Sequence, residues 1–469
     1  MKMTIGRIAE MCGGELNGAA EAVCHGVVID SRQVYENCLF IPIIGERVDG
    51  HDFVADVLSK GASAALWQRD RGEAPAGNII IVDNTLVALQ QLAKVYLQQC
   101  HPQVVGITGS NGKTTTKDMV AALLGQAYRV HRTAGNFNSH IGLPLTILSM
   151  PADTEMLILE MGMRARGEIE FLSQLAEPDT VVITNIGESH LEQLGSREEI
   201  ARAKLEITAG LKRNGLFIYP GDEPLLQQIL IEPEFLNLSD VTFQTFGLEQ
   251  SNDLHPIGIM NQGQHTIFTT PRYPDIVWTL PLPGLHNVSN AMAAMLVAEH
   301  YGVTPSQIQN GFSGLRLTGM RIEMTLGLDG TMLLNDAYNA SPSSMKAAID
   351  VLDQMKGYSR KLAVLGDMLE LGQDEEHYHQ QIGDYIAGKV DWLFTYGQRS
   401  LAMAKAASMR MSQERIRSYQ SKQELIDDLL EVKASGDVIL FKGSRGMRLE
   451  EVLQALMPDS ISNAEALEE

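Results

Sequence analysis

Long hydrophobic runs are missing from this 469-residue sequence: none approaches the about 18 apolar residues that a membrane-spanning helix requires. No charged-then-apolar leader opens the chain. Cysteine is scarce. Cys12, Cys24, Cys38 and Cys100 have neither metal-ligand spacing nor close pairing, which argues against a zinc site or a disulfide framework and suits free thiols in a reducing compartment. Positive charge is in deficit, with 37 Lys and Arg against 58 Asp and Glu and a formal net charge of −21. That balance disfavours non-specific binding to nucleic acid or anionic lipid, yet it permits a local basic pocket for phosphate. Fixed-period repeats and low-complexity tracts are also absent. These features predict a cytoplasmic chain with no nucleic-acid and no membrane partner. Its length exceeds what one core accommodates and points to about three domains.

The feature that stands out is the stretch 106–116, Gly-Ile-Thr-Gly-Ser-Asn-Gly-Lys-Thr-Thr-Thr. It follows an apolar strand signal (Val104, Val105, Ile107) and opens a helical pattern (Met119, Val120, Leu123, Leu124). Glycines allow a tight turn whose N–H groups point at a phosphate, and the helix N-terminus adds a positive dipole end. Lys113 can reach the outer phosphates, and the Thr114 hydroxyl suits Mg²⁺. Thr108, Gly109, Ser110, Asn111, Gly112, Lys113, Thr114 and Thr115 are therefore expected to hold a nucleoside triphosphate. The spacing is not that of the common P-loop, because Gly106 lies one residue too far from Gly112 and Gly109 is extra.

Two further apolar strands run into polar residues: 156–159 into Glu160, and 181–184 into Asn185 and, five residues on, His190. In open parallel sheets ligands bind beyond the carboxyl ends of the strands, so Glu160, His190 and the phosphate loop are expected to share one crevice and to handle Mg²⁺. Alone, each reads equally well as a solvated loop residue or a structural histidine. Lys204 falls on the apolar stripe Ile200, Ile207, Leu211 of a helix expected over about 197–212. A buried ammonium is costly, so it either snorkels, pairs, or works near the metal site. Asn287 and Asn290 share a helical face and suit a purine edge, or Asn287 caps the helix. Asp336, Tyr338 and Asn339 follow a strand end. Arg321 lies just beyond a domain junction, where a cation could close over phosphate, and Lys442 and Arg445 flank another glycine turn after a strand. Arg and Lys in loops are more often simply solvated.

The chain divides into a small mixed α/β unit (1–101), a central P-loop-type doubly wound parallel sheet (102–316) and a C-terminal Rossmann-like α/β unit (317–458), with a frayed tail (459–469). In the first unit strands are expected at 27–29, ending at Asp30-Ser31-Arg32, and at 39–43, followed by a helix over 86–97. In the third, strands are expected at 362–365, 392–395 and 438–441, with a helix over 343–355.

Taken in order, these motifs resemble the Mur ligases, the ATP-dependent enzymes of peptidoglycan precursor synthesis, and the resemblance covers essentially the whole chain. The stretches 136–144 (Asn136 to Pro144), 364–372 and 441–446 are similar to those of the member that joins D-alanyl-D-alanine to UDP-MurNAc-tripeptide. Asp30-Ser31-Arg32 and 45–51 (Gly45 to His51) resemble the uridine-nucleotide-binding unit of this branch. The resemblance implies that Glu160, His190, Thr114 and Lys204 hold Mg²⁺, with Lys204 carbamylated. It implies that Asn287 and Asn290 face adenine and that Arg321, Asp336 and Asn339 complete the ATP site. Ser31, Arg32, Gly45, Asn136 and Asn138 would meet the UDP-substrate. ATP and Mg²⁺ would be required, the partners would be small molecules, and the chain would be a monomer. Ser139, Ser341 and Glu36-Asn37 depart from the usual pattern. An earlier amino-acid-adding Mur ligase, a folylpolyglutamate synthase and a non-ligating P-loop ATPase are the alternatives.

Overall fold

The computed structural model describes residues 1–233 and 238–458, so the tail at 459–469 lies outside the described residues. Among the described residues two six-stranded sheets and one five-stranded sheet organise the chain, with two smaller antiparallel ribbons beside them. Among the described residues no helix is long and apolar enough to cross a membrane.

In the first sheet Val27–Val28, Leu39–Phe40, Ala64–Gln68 and Ile79–Val82 run parallel, with Glu15–Asn17 antiparallel at the edge. The second strand is shorter than the sequence predicts, since Pro42 has no N–H to give a ladder. The helix Thr85–Cys100 starts where the Asn84 side chain accepts the Val87 N–H at 2.9 Å. It stops at His101, whose left-handed φ of 51° precedes Pro102.

The central sheet is parallel throughout, in the order 242–246, 216–220, 180–183, 103–108, 156–160, 130–132. Strands buried on both faces read as apolar runs, and every residue of Met156–Glu160 is buried. From Gln103–Thr108 the chain crosses to the edge strand Val130–Arg132, returns beside its start at Met156–Glu160, then appears on the other side at Thr180–Ile183. That reversal leaves a crevice beyond the carboxyl ends of 103–108, 156–160 and 180–183. The sequence reading does not anticipate the antiparallel strands Gly258–Gln262, His265–Thr270 and Tyr273–Leu280. Their inner face brings Phe268, Trp278 and Leu280 into the core of the central unit.

The helix expected over 197–212 is shorter. It is α-helical over Arg197–Leu205 and tightens to a 3₁₀ turn over Glu206–Gly210. The tightening follows from a close pass. Ser173 Oγ donates to the Ile207 carbonyl at 2.5 Å and accepts the Gly210 N–H at 3.0 Å, and a Cβ on Gly210 would sit 2.0 Å from the Ser173 carbonyl oxygen.

The third sheet has the order 323–326, 332–335, 437–442, 360–366, 392–396, 416–419, with only the first strand antiparallel. The helix Pro342–Gln354 lies one residue from the expected span and begins with a Ser341–Ser344 capping box. One buried carboxylate ties this unit to the central one. Asp118, on the helix Lys113–Leu124, lies 2.8 Å from Arg132 Nη1 and 3.2 Å from Lys117 Nζ. Its other oxygen accepts the Thr318 N–H at 2.7 Å. Lys117 and Asp118 are both fully buried. Removing one partner of a buried ion pair strands the other. Asp118→Ala should therefore cost about 3 kcal/mol or more in urea unfolding of the intact chain; a loss under about 1 kcal/mol would show that the pair carries little.

Candidate active site

The phosphate loop is shaped by how closely it passes the neighbouring strand end. Gly109 adopts φ 153°, and a Cβ there would meet Thr184 Oγ1 at 1.8 Å. Gly112 adopts φ 77°, and a Cβ there would meet Asn290 Oδ1 at 2.6 Å. Only glycine fits both constraints. The turn is then fastened by side chains. Thr184 Oγ1 donates to the Asn111 carbonyl at 2.5 Å, Asn185 Oδ1 accepts the Asn111 N–H at 2.8 Å, and Ser110 Oγ accepts the Gly187 N–H at 2.9 Å. The helix that begins at Lys113 points its free N–H groups into the crevice.

Around this loop lies an open cavity of about 840 Å³. It brings together most of the residues singled out from sequence: Ser110 to Thr115, Asn136, Asn138, Glu160, His190, Asn287, Asn290, Arg321, Asp336 and Asn339. Glu160 is buried and accepts from Thr114 Oγ1 at 2.7 Å and from Asn138 Nδ2 at 2.8 Å. Lys113 Nζ donates to the Gly109 carbonyl at 2.7 Å. Desolvation holds its ammonium below the ordinary lysine value, partly offset by Glu160, with Arg321 adding a second cation. His190 is likewise held below the usual imidazole range, first by desolvation and then by the Lys113 charge.

Lys204 lies behind this cavity rather than in its lining. Its side chain is 2% exposed, so it does not snorkel. Among the described residues no carboxylate pairs with it. Burial and then the Lys113 charge push its pKa well below the ordinary value. Burial of this kind favours the neutral amine, the form that is nucleophilic.

Arg321 reaches in from the linker to the third unit. Its guanidinium stacks 4.3 Å from the Tyr338 ring centroid, and its buried Nε has no partner. The flanking residues Met320 (φ 62°) and Ile322 (φ 54°) are left-handed, a strained backbone for non-glycine residues. Asp336 is pinned by Lys442 Nζ at 2.6 Å, which also donates to the Asn339 carbonyl at 3.0 Å. On the helix Leu285–His300, Asn290 Nδ2 donates to Asn287 Oδ1 at 3.4 Å and Asn287 Nδ2 to the Pro283 carbonyl at 2.8 Å. The two amides share a face as their spacing predicts. The N-cap is Gly284, so Asn287 does not cap the helix.

Thr108 and Gly109 support the loop without lining the cavity; Thr108 is fully buried. Ser31, Arg32 and Gly45 also lie outside the cavity lining. Arg32 forks onto Asp30, with Nη2 to Oδ2 at 2.7 Å, and this contact lowers the Asp30 pKa to about 2. The 45–51 loop is pinned by buried His51, whose Nδ1 lies 2.7 Å from Asp49 Oδ1.

The sequence reading gave no role to Asn185 or Ser343. Asn185 follows a strand end just as Glu160 does, and that position is the signal that could have identified it. Ser343 Oγ accepts from Asn111 Nδ2 at 3.1 Å, and Ser341 Oγ donates to Asn111 Oδ1 at 3.2 Å. Two serines of the third unit thus hold the side chain at the tip of the phosphate loop.

Among the described residues no group of three or more His, Cys, Asp or Glu forms a metal cluster. The donors present still fit Mg²⁺. This ion takes one or two carboxylates and completes its shell with phosphate oxygens and water, and Thr114 and Glu160 offer hard oxygens beside the loop.

Two expectations follow from this geometry. Gly109→Ala should weaken ADP binding at least tenfold in calorimetry, about 1.4 kcal/mol; unchanged affinity would contradict the close-pass argument. His286, crowded at the cavity wall, has its pKa lowered to about 4 by desolvation. The unfolded chain therefore takes up a proton near pH 6.5 while the folded chain does not, and stability falls as pH drops from 6.5 towards 4. His286→Gln should show a shallower decline of the thermal midpoint over that window; an equal slope would remove His286 from the account.

The comparisons with known proteins agree with this architecture. Residues 107–298 match the Mur ligase middle domain, 320–445 the Mur ligase glutamate ligase domain, and 23–97 the catalytic domain of the Mur ligase family. A UDP-N-acetylmuramoyl-tripeptide–D-alanyl-D-alanine ligase of Bacillus subtilis (strain 168) is 48% identical over 466 residues, covering 98% of this chain and all of the relative. Among solved structures, MurF from Acinetobacter baumannii superposes with a TM-score of 0.87 at 28% identity, over 97% of this chain and 99% of that one. MurF ligase from Thermotoga maritima in complex with ADP gives 0.80 at 29% identity, over 92% and 97%. With three family domains matched in order and a close relative aligned end to end, the chain belongs to the Mur ligase family.

Proposed function

We propose that this chain joins D-alanyl-D-alanine to UDP-N-acetylmuramoyl-tripeptide at the expense of ATP. The observation that carries the reading is a phosphate loop, a hard-oxygen pair and a third-unit arginine around one cavity, in a chain aligned end to end with a ligase of that activity. The terminal carboxylate of the tripeptide attacks the γ-phosphorus of ATP. The bond to the β-phosphate oxygen breaks, and ADP and an acyl phosphate result. The amine of the dipeptide then attacks the acyl carbon, loses a proton, and phosphate leaves.

Within this scheme the loop 108–115 cradles the phosphates, and Lys113 offsets the crowding of one anion approaching another. Arg321, which lines the cavity, adds positive charge from across the junction. Thr114, Glu160 and His190 hold Mg²⁺, which supplies charge neutralisation on the phosphates. Lys204, as its carbamate, contributes an anionic oxygen beside them; its burial without a carboxylate partner supports this role. Asn287 and Asn290 take the adenine, and Asp336 and Asn339 complete the nucleotide site. Ser31, Arg32 and Gly45 bind the uridine nucleotide, while Asn136 and Asn138 meet the substrate nearer the loop. The working units are 1–101, 102–316 and 317–458. The third docks over the loop and shields the acyl phosphate from water. The partners are small molecules only, without nucleic acid or membrane, and the chain acts as a cytoplasmic monomer.

Mass spectrometry of the sugar-peptide should show a gain of one dipeptide that requires ATP, Mg²⁺ and both substrates. ADP release without any adduct would instead mark a phosphohydrolase. Lys204→Ala should lose at least a hundredfold in turnover, and millimolar formate or acetate should restore part of it; full activity in that variant would refute a working Lys204.

A further inference from the structure

His190 sits on a left-handed turn (φ 64°) just before the short helix Leu191–Leu194. A second left-handed non-glycine residue, Glu370 (φ 63°), meets it from the third unit. Glu370 Oε2 lies 2.8 Å from His190 Nδ1, within ion-pair range but off the line of a hydrogen bond. The neighbouring backbone is locked as well. The Glu370 carbonyl accepts the Glu192 N–H at 3.1 Å, and a Cβ on Gly372 would approach Glu192 Cα to 3.3 Å.

The loop that presents Glu370 is rigidly built. The Met368 N–H donates to Nε2 of buried His379 at 3.0 Å, and the Leu369 N–H donates to Ser444 Oγ at 2.8 Å. Buried Asp367 accepts the Ser400 N–H at 2.7 Å, and its carbonyl accepts the Ser444 N–H at 3.0 Å. Left-handed backbone at a non-glycine residue is strained and persists where the surroundings over-determine it. Two such residues, one on each unit, face each other here and bring a carboxylate within 2.8 Å of an imidazole nitrogen.

An imidazole that binds a cation through one ring nitrogen is oriented by a carboxylate at the other, which fixes the tautomer and the ring plane. With Nδ1 turned to Glu370, Nε2 is the nitrogen left for a ligand. We infer that Glu370 is a positioning residue that orients His190 for the divalent cation across the junction between the central and third units. The inference rests on His190 being a metal ligand. It makes cation binding and docking of the third unit reciprocal, because the orienting carboxylate is in place only when the units meet.

The test uses the full chain with ADP and Mn²⁺ as the probe, free Mn²⁺ being counted by electron paramagnetic resonance. Glu370→Ala should weaken Mn²⁺ binding roughly 10- to 100-fold, with the thermal midpoint of the cation-free protein unchanged, and should add nothing in a His190→Ala background. If the alanine variant lowers that midpoint, Glu370→Gln, equal in length and uncharged, is read instead with the same expected direction. Parent-like Mn²⁺ affinity in the Glu370 variant alongside weakened affinity in His190→Ala would overturn the inference while leaving His190 as a ligand. A loss of equal size with and without His190 would also overturn it. Parent-like affinity in both single variants would remove the ligand reading itself, and the inference with it.

Discussion

The close pass of the Gly109–Gly112 turn over the end of the 180–183 strand is the constraint on which the rest of this structure depends. A side chain at Gly109 would collide with Thr184, and one at Gly112 would collide with Asn290. Because neither is there, the backbone lies flat against the strand ends. Asn111 is gripped by Thr184 and Asn185, and the next helix starts at Lys113 with its free N–H groups facing the crevice. The same turn then becomes a docking point. Its Asn111 side chain is held by Ser341 and Ser343, more than two hundred residues away in sequence. The proposed phosphate site and the placement of the third unit thus share one short piece of chain.

The charges around that turn are arranged for a polyanion. The chain as a whole is strongly acidic, yet Lys113 and Arg321 approach each other over the loop, with Lys204 buried behind them. Glu160 is the carboxylate set directly on the loop through Thr114. Mutually repelling cations in a desolvated crevice are unfavourable until phosphate oxygens arrive. The lowered pKa of Lys113, set first by desolvation and then by the Arg321 charge against the pull of Glu160, expresses that imbalance. Asp118, buried on the loop's own helix and bonded to the Thr318 N–H, fixes the start of the linker from which Arg321 projects. The strained residues on either side of Arg321 are consistent with a side chain held where ligand binding needs it.

Much of this was legible in the sequence because parallel strands buried on both faces leave a plain trace. They appear as apolar runs that end in one polar residue, and Thr108, Glu160 and Thr184–Asn185 mark three such ends. Lys204 was legible as a charge on an apolar stripe. The glycine spacing already departed from the common P-loop, and the collision of Gly109 with Thr184 supplies the physical reason for the extra glycine. Other features left no trace. The strands over 258–280 alternate polar and apolar residues so weakly that they read as connection. Their identity comes from packing Phe268 and Trp278 onto the central core. The contacts of Asn111 with Ser341 and Ser343, of Asp118 with Thr318, and of His190 with Glu370 join ordinary polar residue types across long sequence distances. No local pattern distinguishes them from solvated loop residues. Motifs 30–32 and 45–51 revealed local turns but not their distance from the main cavity.

The central claim is that this crevice activates a carboxylate as an acyl phosphate. The most direct measurement follows oxygen. UDP-N-acetylmuramoyl-tripeptide carrying ¹⁸O in its terminal carboxylate is turned over with ATP, Mg²⁺ and D-alanyl-D-alanine, and the released phosphate is weighed by mass spectrometry. One ¹⁸O atom in each phosphate is the expected result, since the carboxylate oxygen that attacks phosphorus leaves with it. Phosphate free of ¹⁸O, formed alongside the ligated product, would contradict the account.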